Sequence, residues 1–118
     1  MTMTTPLMMY QMFGENLLNS EDGEQLRSTV YDELAAGHDV VLDFAGVRIV
    51  ASAFLNAAIG QLYADLPEHV IKEHLSVPNL SDMGKFALKR VVDNSKRYYG
   101  DPQHRKAVDA SVNTFLEA

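Results

Sequence analysis

The feature that most constrains this chain is the stretch "IVASAFLNAAIGQLYADL", Ile49 to Leu66, which carries no charge before Asp65 in a protein that is 22% charged. Leu55, Ile59, Leu62 and Leu66 fall on one helical stripe, and Ala53, Ala57 and Gly60 form a second stripe of small residues. A helix apolar nearly all round must be covered on more than one side, either by the rest of its own fold or by a partner subunit. Gly60, costly in a helix interior, points to a close backbone approach by a packed strand or a partner. Ser52 stands where the N-cap of this helix is expected and Pro67 where it closes.

The flanking segments supply the cover. The run "PLMMYQMF" (6–13) reads as a buried opening strand. From Ser20, taken as an N-cap, Leu26, Val30 and Leu34 recur at intervals of four and the pattern stops at Gly37, which predicts an amphipathic helix with acids in its first turn. "DVVLDF" predicts a central strand, with Asp43 capping the turn that follows, and "IKEHLSVPNL" holds a short strand ending near Pro78. Ser81 caps a long helix with a core face of Phe86, Leu88, Val91, Val92 and Tyr99, closed by Gly100, and a further helix is expected from Asp101 and Pro102 to Leu116. Alternating strands and helices imply parallel pairing, so the expected fold is α/β, a small mixed or mostly parallel sheet packed on helices. The 118 residues suit one domain, 1–118, with a single core.

At "VVLDFAGVRIVASAFLNAAIGQLY" the chain resembles the STAS-like domain family of unknown function, a relative of the STAS domain of sulfate transporters and anti-sigma-factor antagonists. The resemblance rests on Asp43, Phe44, Gly46 and Val47 after the strand, then Phe54, Leu55, Asn56, Gly60 and Leu62 on the helix, and continues into "LKRVVDNSKRYY". It implies a STAS-like sandwich and a non-catalytic, protein-binding role in signalling, with a partner ATPase or kinase of the anti-sigma-factor type. In the antagonists a serine of an Asp-Ser-Ser-Gly stretch at a helix start is phosphorylated. Ser52 matches the first serine by position, while Ala51, Ala53 and Phe54 depart from the other three residues. Ser52 is thus the phospho-acceptor candidate, and Phe54 and Asn56 are candidates for the partner interface.

Composition narrows the alternatives. Ten basic residues against sixteen acidic ones give a net charge of −6, so no global field draws in nucleic acid or an anionic membrane. The charge is polarised: residues 1–80 are acidic, while 81–106 hold Lys85, Lys89, Arg90, Lys96, Arg97, Arg105 and Lys106. Helix 85–97 could therefore dock an acidic partner or, as a weaker reading, nucleic acid. The absence of cysteine excludes disulfides and a thiolate nucleophile and fits a reducing compartment, and the N-terminal segment resembles neither a signal peptide nor a span; a cytoplasmic location is expected. His38, His69, His74 and His104 are scattered, Asp39 and Asp43 stand about 13 Å apart along a strand, and no nucleotide-binding or hydrolase motif occurs. No enzyme activity, metal or cofactor is expected; a structural domain that forms homo-oligomers through the uncharged helix is the alternative function.

Overall fold

In the computed structural model residues 6–100 are described. The strands are short: β1 (Leu7–Met8), β2 (Asn16–Leu17), β3 (Val40–Asp43), β4 (Ile49–Val50) and β5 (Leu75–Ser76). All pairings are parallel, β1–β3–β5 in one sheet and β2–β4 in a second, so the expected parallel α/β arrangement is present as two small sheets. β3 lies in the middle, with Leu7 opposite Leu42 and Val40 opposite Leu75, and its Val40 and Leu42 are buried.

The helices are α1 (Met9–Phe13), α2 (Ser20–Ala35), α3 (Ser52–Leu55), a π-helical segment (Asn56–Gly60), α4 (Leu62–Asp65), α5 (Glu68–His74) and α6 (Asp82–Gly100). Only Gln61 separates the π segment from α4, so residues 52–65 form one rod, called the central helix below. Ala57, Ala58, Ile59 and Gly60 are all buried, and four consecutive residues sweep most of a helical circumference. The rod is enclosed on every side at that level, which is what its lack of charge requires.

Two helices do the enclosing, and small residues let them in. A Cβ on Gly23 of α2 would lie 2.6 Å from the Phe54 carbonyl oxygen and 2.8 Å from the Ala57 Cβ. A Cβ on Gly60 would lie 2.8 Å from Ser95 Oγ and 3.0 Å from a Val91 methyl of α6. The approach expected at Gly60 is therefore made by α6, not by a strand or a partner. Leu26, Val30 and Leu34 of α2 are buried as their spacing predicts, and α2 and α6 pack on different flanks of the central helix.

Several expectations need correction. The apolar run 6–13 is a two-residue strand followed by helix α1, in which only Met9 is buried, because uniform apolarity gives no period to tell strand from helix. The N-cap of α2 is Asn19, whose Oδ1 accepts from the Asp22 N–H at 2.8 Å, and Ser20 is already helical. Phe86 is 67% exposed, outside the core face occupied by Val91 and by half-buried Leu88 and Val92. The short strand expected within 71–80 is present as Leu75–Ser76, paired with β3, while the start of that segment is helical, with Ile71 the buried residue of α5. Ser81 does cap α6, accepting from the Gly84 N–H at 3.0 Å. The helix expected at 102–116, His104 and the C-terminal cations lie outside the described residues.

The Gly23 contact yields a signed prediction. On propensity alone Gly→Ala in a helix gains up to about 1 kcal/mol. Here the new methyl meets backbone that cannot yield, and overpacking of this kind costs about 1–3 kcal/mol. Gly23→Ala should lower the urea midpoint at an unchanged m-value.

Candidate functional site

The surface at the start of the central helix is built by the β2–β4 pair. The Arg48 and Ile49 N–H groups both donate to the Glu15 carbonyl, at 2.7 and 3.1 Å, and the Ala51 N–H donates to the Leu17 carbonyl at 2.8 Å. These bonds fix the chain just before the helix. Leu17, paired with Val50, is fully buried, whereas Asn16 and Leu18 point the other way, and Ile49 opposite Asn16 is exposed with them. Exposed Leu18 and Ile49 therefore share the outer face of the ribbon that leads into Ser52.

Ser52 is the first helical residue, not the N-cap. Ala51 holds the extended cap conformation and supplies no side-chain bond, which leaves the Ser52 hydroxyl on an exposed side chain at the start of the rod. Phe54 is fully buried and meets Phe13 edge-on, with centroids 5.7 Å apart. Of the two interface candidates only Asn56 is at the surface, one turn beyond Ser52; the phenylalanine serves the core because the stripe that faces α2 runs through it. Leu18 and Ile49 were not singled out in the sequence, since the strands that orient them are too short to leave a period.

The uncharged helix does not offer a homodimer seam: Leu55, Ile59 and Leu62 are covered within one subunit. Their cover extends into a cleft of about 250 Å³ between the central helix, α5 and α6, floored by Ile59, Ile71 and Val92. At its rim Lys96 of α6 pairs with Glu68 of α5 at 2.8 Å, which raises the Lys96 pKa and lowers that of Glu68. Burial raises the Tyr63 phenol beside them.

Several other titratable residues settle into local contacts. His74 and Asp39 lie one rung before Leu75 and Val40 in the β5–β3 register, and their side chains meet at 2.7 Å. His38 bonds Glu33 at 2.8 Å. Asp43, at the far end of β3 from Asp39, caps a turn as expected, accepting from the Ala45 N–H and from Asn79 Nδ2, both at 2.9 Å. Among the described residues no group of three or more His, Cys, Asp or Glu could hold a metal ion, and no helix is long and apolar enough to cross a membrane.

Short parallel strands in two small sheets, packed against helices, define a STAS-like α/β sandwich. Residues 22–85, more than half of the chain, match the model of the family described as STAS-like domain of unknown function (DUF4325), and the chain belongs to that family. The match runs from the first turn of α2 into the first turn of α6. Neither the curated proteins nor the solved structures provide a match.

The Asp43 turn has a pH signature. The Asn79 side chain first, and the Ala45 N–H second, hold the carboxyl below its ordinary value of 3.8. A depressed folded pKa contributes stability that is whole above the unfolded value and is lost as pH falls through the folded one. The stability difference between wild type and Asp43→Asn should be constant above about pH 5 and shrink below pH 4, measured by urea denaturation at each pH.

Proposed function

We propose that this protein is a non-catalytic interaction module of a cytoplasmic signalling system, formed by the single domain 1–118, and that a protein partner docks on the surface around Ser52, Asn56, Leu18 and Ile49. The observation that carries the reading is the exposed Ser52 hydroxyl at the head of a rigidly held helix, flanked by two exposed aliphatic side chains. A hydroxyl, an amide and aliphatic groups suit docking: the apolar side chains supply contact and the polar ones orientation. Family membership supports the same reading, and the resemblance to anti-sigma-factor antagonists suggests an ATPase or kinase as the partner.

A phosphate on Ser52 adds nearly two negative charges at a position where an apolar partner surface would have to desolvate them. It would sit beside the first-turn amides, which tolerate it in the free protein, so the modification acts on the contact and not on the fold. Ala51 and Ala53, in place of the antagonists' polar neighbours, leave Ser52 the sole hydroxyl of this turn.

The test compares wild type, Ser52→Ala and Ser52→Asp as baits, with bound proteins quantified by mass spectrometry and each bait checked by thermal melting. A protein held by wild type and Ser52→Ala should fall roughly tenfold or more with Ser52→Asp at an unchanged melting temperature. The same set of proteins in the same amounts on all three baits would refute the role.

A further inference from the structure

The outer faces of the two enclosing helices are complementary. On α6, Met83 is 82% exposed and Phe86 67%, and with exposed Arg90 they form one ridge at i, i+3 and i+7. Lys89 and Arg97 lie beside that ridge and Lys85 further round the helix, while Asp82 and Asp93 share the ridge's face, and neither Arg90 nor the three lysine and arginine neighbours makes an ion pair among the described residues. An apolar and basic helix face that no other described residue covers is an unusual surface for an acidic protein.

The outer face of α2 carries the opposite character. Glu21, Glu24, Ser28, Tyr31 and Asp32 recur at helical spacing and are exposed, so the stripe is acidic with an aromatic ring in it. Arg27, the one cation of α2, lies at the edge of the stripe beside Ser28 and Tyr31, and its charge is met by Asp65, 4.0 Å off. Because α2 and α6 hold the central helix from different flanks, the acidic and basic faces point away from one another. One molecule cannot bring its own two faces together. Two molecules can.

We propose that a second copy of this chain sets the outer face of its α2 against the Met83, Phe86, Lys89 and Arg90 face of α6. The two patches differ, so the contact is head to tail and each added copy leaves one face of each kind free. Such an interface grows with concentration instead of stopping at a dimer. Its attraction comes from exposed charges, so salt weakens it, with Phe86 and Tyr31 as the apolar anchors inside the charged rim. This association is independent of Ser52.

The experiment is sedimentation velocity of the full chain over a wide concentration range, at low salt and at about 0.5 M salt, where the screening length shrinks to a few ångströms. Two charge-reversed variants are run beside it, Lys89→Glu with Arg90→Glu and Glu24→Lys with Asp32→Lys. All four positions are exposed, and thermal melting of each variant checks that it folds. Wild type should pass twice the monomer mass at low salt and fall back at high salt. Each variant alone should sediment as a monomer, and an equimolar mixture of the two should regain the association, because reversed α6 then meets reversed α2. A wild type that stays monomeric throughout, an assembly that either variant leaves unchanged, or a mixture of folded variants that stays monomeric would overturn the proposal.

Discussion

The close approach of α2 to the central helix at Gly23 is the contact on which the remaining structure depends. A side chain there would push the two backbones apart, expose Phe54 and Ala57, and open one flank of a rod that has no polar face to show to water. The matching approach of α6 at Gly60 closes the other flank. With both in place the rod needs neither charge nor partner, and Leu55, Ile59 and Leu62 become the centre of a core shared with Leu26, Val30, Leu42 and Phe44.

Rigidity at the centre decides what the surface can do. The start of the rod is fixed by three backbone hydrogen bonds to the Glu15–Leu17 segment, so Ser52 is presented by a short ribbon and not by a loop free to wander. Burial takes Phe54 inward and leaves Ser52, Ala53 and Asn56 outward, so the start of the helix carries polar groups to the surface while its middle, Ala57 to Gly60, is enclosed. The same enclosure separates the acidic outer face of α2 from the basic outer face of α6, so the polarity seen along the sequence becomes a polarity across the molecule.

Much of the fold was legible because it obeys strong periods. The four-residue spacing of Leu26, Val30 and Leu34, the β-branched run at Val40, the charge-free helix and the Ser81 cap each carry a local signal that tertiary structure obeys. What could not be read follows from short range or from competition. Strands of two residues have no alternation to detect, so β2, β4 and the exposed pair Leu18 and Ile49 stayed hidden. Adjacent polar residues compete for a cap, and Asn19 took the position expected for Ser20, while the central helix starts one residue earlier than expected on Ala51, which offers no side-chain cap. Phe86 sat within a helical pattern of apolar residues, yet the packing of Val91 and Ser95 against Gly60 rotates α6 so that the ring faces water. The π segment, which widens the rod where both flanking helices press in, has no sequence signature at all.

Native-state hydrogen exchange tests the central claim most directly. If the rod is sealed between α2 and α6, the amides of Leu55 to Leu62 open only when the whole domain unfolds, and their exchange free energies equal the global stability and fall together under mild denaturant. Exchange of those amides well before the α2 amides around Leu26 and Val30, through an opening of low denaturant dependence, would mean that the rod is exposed in the native state and that the account is wrong.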